Sequence, residues 1–496
     1  MITLTTLTMS STPRLQLNST LRLHTIDARL YGSFVEHLGR CVYTGIFEPG
    51  HTTADAADFR QDVAALIREL GPTLLRYPGG NFVSTYNWED GVGPVEKRPV
   101  RLDPAWRTTE PNTVGTNEFI PWCRSVGCEP MLAFNMGTRG LAEALAYWEY
   151  CNHPGGTALS DLRAAHGYPK PHDVRLWCLG NEMDGPWQMG HKTAEEYGRQ
   201  ACEIARALKQ CDPTLELVVA GSCSADLPTF PEWDRVVLEN TYEFVDHISL
   251  HIYVNDEKLE FADYLAVGTR MEKQIQTVIA TCDYVKALKR SKKVMLLAYD
   301  EWNVWHWKNL NPAGFQPWSH APSQVEQIYT VAEAVIFGSL IITLLRHADR
   351  VRIANLAQVV NVIAPIMTVP GGIAWKQVIF YPFQHASQWG RGEVIFSRVE
   401  SPTYTSKEFG EVPYIEAVAV RDPVSGTVTV FAISRHLTDA LPLVFSSELN
   451  LVEHIVLTDA DPHASNTQET PERVLPGQAA KPGVLPSLSW NVLRFA

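Results

Sequence analysis

Two segments, Leu179-Gly180-Asn181-Glu182 and Asp300-Glu301-Trp302-Asn303, each follow an apolar run and place a carboxylate at its end. Cleavage of a glycosidic bond needs one carboxyl to protonate the leaving oxygen and a second to act at the anomeric carbon. If the two stand about 5–5.5 Å apart, the second attacks directly and configuration is retained. A lone glutamate at a strand end is usually a solvated rim residue. The pair carries more information than either member, provided that the fold brings the two together.

The elements that must do so form a regular series. Leu30–Glu36 reads as a strand, followed by a helix with Phe59, Val63, Leu66, Ile67 and Leu70 at helical spacing and a stop at Gly71-Pro72. Further strands are predicted over Thr73–Tyr77, Pro130–Asn135, Val174–Gly180, Glu216–Ala220, Phe244–Tyr253, Val294–Asp300 and Arg350–Leu356. Helical segments lie between them, among them Asn117–Val126, Leu141–Tyr150, one opened by a Thr193/Glu196 capping box, and Met271–Leu288. Eight strand-and-helix units over roughly 350 residues predict a (β/α)8 barrel. A doubly wound sheet would be expected to show GxGxxG or a phosphate loop, and neither follows a strand here.

In a barrel the groups that act lie at the C-terminal ends of the strands. Those ends carry Glu36-His37, Arg76 to Asn81, Asn135, Asn181-Glu182, His247 with His251 and Tyr253, Asp300 to Asn303, and Asn355 to Gln358. Carboxylates and amides bind hydroxyls, and indoles offer an apolar face, so this mouth suits a neutral polyhydroxylated ligand. Strands four and seven lie across the barrel from one another, which would let Glu182 and Glu301 meet.

The chain has 496 residues, with 42 Lys and Arg against 55 Asp and Glu, for a net charge of −13. That balance argues against a nucleic-acid partner or an anionic membrane surface. The nine cysteines are scattered without CxxC spacing, which reads as buried thiols in a reducing compartment. The first 18 residues lack a basic start and a continuous apolar core, so no signal peptide is read and a cytoplasmic location is expected. The apolar run Ala334–Leu345 is too short to span a bilayer and reads as a buried helix. Beyond about residue 385 the pattern turns to period two, with a hairpin over Tyr414–Val420 and Thr427–Ser434. The expected organisation is a catalytic barrel over 24–385 and an all-β, jelly-roll-like sandwich over 386–496, joined by residues 1–23.

The segments Tyr31–Arg40, Leu75–Phe82, Tyr86–Pro94, Gly115–Phe119, Trp177–Gly185, His247–Tyr253, Asp300–Trp305 and Asn355–Asn361 run in order along the chain. Together they resemble glycoside hydrolase family 51, the intracellular-type α-L-arabinofuranosidases. Arg76-Tyr77-Pro78-Gly79-Gly80-Asn81-Phe82 and Asn355-Leu356-Ala357-Gln358 narrow the likeness to that family. The resemblance implies Glu182 as acid/base, Glu301 as nucleophile and Asn181 as the ligand of the sugar 2-hydroxyl. It implies that Glu36, Arg76, Asn81, Tyr253 and Gln358 line a furanose pocket, with Tyr253 and Trp305 beside the nucleophile. It further implies release of terminal arabinofuranosyl residues from arabinose-containing oligosaccharides, no cofactor, and a homohexamer. Arg76 near Glu301 would keep that carboxylate ionised, while Glu182 must sit where its proton is retained.

Other readings compete at single positions. His247, His251 and His306 could suggest a metal centre, but no ligand spacing supports one, and His251 is expected to hydrogen-bond within the site. Pro78-Gly79-Gly80 could cradle phosphate but lacks the P-loop Lys and Ser/Thr; a turn that points Asn81 inward fits better. Trp88-Glu89-Asp90 reads equally as surface loop or pocket wall. For the whole chain, the rivals are another retaining glycosidase of the same clan, a β-xylosidase or endoglucanase, and a sugar-binding barrel without activity.

Overall fold

The computed structural model describes residues 12–256, 258–446 and 449–496. Strand β1 (Arg14–Thr25) precedes eight parallel strands that close into a barrel: β2 (Gly32–Phe34), β3 (Leu74–Tyr77), β4 (Glu129–Ala133), β5 (Leu176–Leu179), β6 (Glu216–Val219), β7 (His247–Val254), β8 (Leu296–Val304) and β9 (Val351–Leu356). Each pairs with the next, and β9 returns to β2 through Asn355↔Gly32. All eight predicted strands are present. The first is shorter than predicted because residues Ala28–Tyr31 form a 3-10 turn capped by the Asp27 side chain.

A helix follows each barrel strand: α1 (Gln61–Leu70), α2 (Thr116–Ser125), α3 (Leu141–Asn152), α4 (Ala194–Cys211), α5 (Glu232–Thr241), α6 (Thr269–Leu288), α7 (Val331–Arg346) and α8 (Phe380–Trp389). The expected Thr193/Glu196 box opens α4: Glu196 N–H donates to Thr193 Oγ1, and Thr193 N–H to Glu196 Oε2 at 3.0 Å. Thr330 and Glu333 build the same box at α7.

Helix α7 contains the apolar run, and its environment explains the run. It is buried on all sides because it lies between the barrel and a second, all-β unit. Phe337 packs on Trp302 of β8 with ring centroids 4.8 Å apart. On the other side, a Cβ at Gly338 would lie 2.5 Å from the indole of Trp490. Among the described residues no helix is long and apolar enough to cross a membrane.

The all-β unit is built from β10 (Glu393–Glu400), a small hairpin β11 (Thr403–Ser406) and β12 (Gly410–Pro413), then β13 (Ile415–Arg421), β14 (Val428–Ser434), β15 (Leu451–Leu457) and β16 (Ser489–Phe495). Its main sheet has eight strands, including β1, which pairs antiparallel with β10 through Leu15↔Val399. The predicted hairpin is β13–β14, in register from Ile415↔Ser434 to Arg421↔Val428. One sheet face packs Val418, Phe431, Ile433 and Trp490 into the shared core with α7. The other encloses Leu15, Ala417, Val430 and Leu493 beneath Leu443 and Leu485. Residues 1–11 of the expected N-terminal connection lie outside the described residues. Seven of the nine cysteines are buried and all nine are free thiols.

Candidate active site

Glu182 follows β5 with a positive φ of 46°, a conformation that turns its side chain into the mouth after Gly180 at φ 85°. Glu301 is within β8. One ligand-capable oxygen of each carboxyl lies within 4.8 Å of the other and of a ring nitrogen of His251. Both glutamates are buried, at 7% and 4% exposure.

Each carboxyl has its own partners. Glu301 Oε1 accepts from Arg76 Nη1 at 2.6 Å, and its Oε2 accepts from the Tyr253 hydroxyl at 2.8 Å. Glu182 Oε2 accepts from Trp187 Nε1 at 2.6 Å, and its Oε1 faces His251 Nδ1 at 2.9 Å. Burial pushes the Glu182 carboxyl up, and the Glu301 charge adds to this against the hydrogen bonds from His251 and Trp187. Two nearby carboxyls thus have different surroundings: one is ion-paired to a guanidinium, the other retains its proton more readily.

Arg76, His251 and Asp300 form the layer beneath. Arg76 Nη2 donates to Asn181 Oδ1 at 2.6 Å, which orients that amide toward the mouth. Asp300 Oδ1 meets His251 Nε2 at 3.3 Å, and Asp300 Oδ2 meets Arg76 Nε at 3.6 Å. Although burial opposes its ionisation, Asp300 is held below the usual carboxylate range by the charges of Arg76 and His251. His251, whose burial alone would favour the neutral ring, is pushed up to about 10 by the Glu301 charge and its contacts with Asp300 and Glu182. These neighbours favour the protonated ring.

Glu36 closes the far end of the pocket. Its Oε1 accepts from the Phe82 amide at 3.0 Å and Trp106 Nε1 at 2.9 Å, and its Oε2 accepts from Gln358 Nε2 at 3.0 Å. Burial and the Glu301 charge push it up to about 8. The Pro78-Gly79-Gly80 turn passes between these acids. A Cβ at Gly79 would stand 2.9 Å from Glu36 Cγ, and one at Gly80 would stand 3.0 Å from Glu301 Oε1. The turn is therefore a tight floor that leads into Asn81, whose Oδ1 lies 3.4 Å from Asn181 Nδ2. Tyr253 stands edge-on to Trp305, 5.2 Å between centroids, and Trp305 packs on Trp307 at 4.0 Å.

All ten residues singled out from sequence converge here. Eight of them line one cavity of about 870 Å³; Arg76 and Asn181 lie directly beneath it. The three histidines do not converge. His247 is at the opposite end of β7, 3.1 Å from Glu216, and His306 pairs with Asp256 and Glu333. Glu182, His251 and Glu301 present three ligand atoms close enough to hold a cation, yet each already engages a neighbour. Asn135 is turned away and donates to the Tyr86 carbonyl. Trp88 stacks on Tyr147, while Glu89 and Asp90 pair with Arg139 and Arg101, so that stretch does not line the main cavity.

Sequence reasoning missed Trp106 and Trp187, and it gave Asp300 no role. Trp106 comes from a hairpin (Arg101–Asp103 with Thr108–Glu110) inside the long connection between β3 and α2. The length of that connection was the available signal, since loops of this size in a compact domain are usually functional.

Comparison with known proteins agrees with this geometry. The model of the α-L-arabinofuranosidase 1 domain matches residues 66–270, and that of the α-L-arabinofuranosidase C-terminal domain matches 300–489. An intracellular exo-α-(1→5)-L-arabinofuranosidase of Streptomyces lividans is 56% identical over 98% of this chain and 75% of its own length. One of the same description from Halalkalibacterium halodurans is 51% identical over 98% and 99%. The structure of a family 51 α-L-arabinofuranosidase from Bifidobacterium longum superimposes with a TM-score of 0.93 at 44% identity, covering 98% of this chain and all of the other. The barrel mouth and these likenesses agree, and the chain belongs to the family 51 α-L-arabinofuranosidases.

Proposed function

We propose that the protein is a retaining exo-α-L-arabinofuranosidase that releases terminal non-reducing arabinofuranosyl residues. The observation that carries this reading is the approach of Glu182 and Glu301 to within 4.8 Å. Retaining enzymes hold their carboxyls at about 5–5.5 Å, whereas inverting enzymes leave ~6.5–9.5 Å for a water.

Glu301 attacks the anomeric carbon as the Glu182 proton passes to the leaving oxygen, which departs as the free alcohol. Water then attacks the glycosyl ester and loses its proton to Glu182. Arabinose leaves and both carboxyls return to their starting states. Asn181, oriented by Arg76, donates to the 2-hydroxyl, where a bond strengthens as positive charge develops on the ring. Glu36, Asn81, Gln358, Trp305 and Tyr253 enclose the furanose, and His251 holds the Glu182 carboxyl in place. The likeness to exo-α-(1→5) enzymes supports arabinan-type oligosaccharides as substrates and an intracellular location. The family resemblance supports a homohexamer, and the pairing of β1 with β10 supports a catalytic unit over 24–385 with a second unit over 386–496 joined by the N-terminal segment.

Proton NMR of 4-nitrophenyl α-L-arabinofuranoside during hydrolysis tests the reading. The first sugar formed should be the α anomer. Initial appearance of the β anomer, or no hydrolysis, would overturn it.

A further inference from the structure

The cavity is larger than the five-carbon ring its floor encloses. Its volume of about 870 Å³ lies toward the top of the ~300–1,000 Å³ that holds drug-sized ligands. Glu36, Asn81, Trp106 and Gln358, from the β2, β3 and β9 ends, close one side. The opposite side runs out past Trp187, Cys223 and Phe230 to Arg270, Lys273 and Thr277 on α6. There it meets Glu408 and Phe409, which belong to the turn between β11 and β12 in the second domain.

That turn is fixed to the barrel. Ser406 Oγ and Lys407 N–H both donate to Asp263 Oδ1, at 2.5 and 2.9 Å, and the Tyr404 hydroxyl donates to Ala262 O at 3.0 Å. The short helix that receives these bonds, Phe261–Leu265, leads into α6. Arg270 Nη2 meets Glu408 Oε1 at 3.2 Å, and its guanidinium lies 5.7 Å from the Phe409 ring centroid. A half-buried aromatic face flanked by hydrogen-bonding groups is the chemistry of a sugar-binding wall.

The barrel order assigns the wall to one side of the scissile bond. A proton donor must face the leaving oxygen. Glu182 follows β5, and the wall extends from the neighbouring β6 and β7 ends, whereas the furanose floor is built opposite. We propose that Arg270, Lys273, Glu408 and Phe409 bind the neutral saccharide chain on the leaving-group side, so that the second domain takes part in substrate selection. This rests on the reaction assigned above to Glu182 and Glu301.

The test compares kcat/KM for linear α-1,5-arabinotetraose with that for 4-nitrophenyl α-L-arabinofuranoside, whose leaving group is too short to follow the wall. Their ratio is independent of the folded fraction of a sample. Phe409→Ala, on the hairpin, and Lys273→Ala, on α6, should each lower the ratio, by about five-fold for one lost contact. A fall in either variant supports the wall, and an unchanged ratio in both overturns it. Turnover of neither substrate by the unmodified enzyme would instead remove the reaction on which the wall depends, and the proposal with it.

Discussion

His251 Nδ1 stands 2.9 Å from Glu182 Oε1, and the ring is held there by Asp300 at its other nitrogen. Its acidic neighbours favour the protonated imidazole, whose charge favours the ionised form of Glu182 and opposes the effect of burial. Replacing His251 with Asn removes the charge. The alkaline limb of the pH profile of kcat/KM, where the Glu182 proton is lost, should then move to higher pH. The loss of one charge-assisted hydrogen bond should also lower kcat/KM by on the order of tenfold. A limb that moves to lower pH would contradict this placement of the charge.

The Glu301 charge acts on Glu182 in the opposite direction and makes it a better proton keeper. In the proposed mechanism that charge disappears when Glu301 becomes a glycosyl ester, which suits the acid role proposed for Glu182 in the first step and its base role in the second. Glu301→Gln imitates the neutral state. Carbon-13 NMR of the Glu182 carboxyl in that variant should show a titration lower than in the unmodified enzyme. An equal or higher value would argue against electrostatic coupling between the two.

Removal of the carboxyls separates their roles. Glu301→Ala should lower kcat on the aryl arabinofuranoside by roughly four orders of magnitude or more. Glu182→Ala should cost ~10²–10⁴-fold on substrates with poor leaving groups, and much less on nitrophenyl glycosides, which need little protonation. Equal losses on both substrate types would rule against the acid role.

The barrel was legible because strand and helix patterns alternate eight times, and the site because several strand ends carry a local signal. Apolar runs end at Glu36, Arg76, Asn181-Glu182 and Asp300-Glu301, and each of these residues stands where a barrel puts its active groups. The wall formed by Glu408 and Phe409 left no such signal. Hairpin β11–β12 reaches α6 only because β10 and β13 orient the second domain against α7, which is a long-range packing result. Trp106 and Trp187 share this limit: each lies in a connection whose course is set by what it packs on. The apolar run of α7 was legible as a buried helix, but not as one buried between two domains.

Gly80 sits where three site groups converge. A Cβ there would lie 3.0 Å from Glu301 Oε1, 3.3 Å from Glu36 Oε2 and 3.5 Å from Asn181 Nδ2. The backbone of Gly80 has φ −82°, outside the left-handed region, and these contacts carry the prediction. Gly80→Ala should therefore lower kcat/KM by ~10²-fold through displacement of Glu301, as a shift of an ångström does in a positioned site. Activity close to the unmodified level would show that the floor yields.

Gly338 tests the join between the domains without touching the site. Helix α7 passes close enough to Trp490 that a Cβ at Gly338 would meet the indole at 2.5 and 2.9 Å, with Ile433 at 3.1 Å beyond it. Trp490 is fully buried and stacked on Phe431, so it cannot swing aside without disturbing the sheet. Alanine there would raise helix propensity by ~1 kcal/mol, which works against the clash. Overpacking of this kind costs about 1–3 kcal/mol, so the net change should still be destabilising. Thermal unfolding of Gly338→Ala should begin at lower temperature, while kcat per folded molecule should stay at the unmodified value, because the side chains bonded to Glu182 and Glu301 are Trp187, His251, Arg76 and Tyr253, none of which is on α7. A variant as stable as the parent would mean that the two domains separate enough to admit a methyl group.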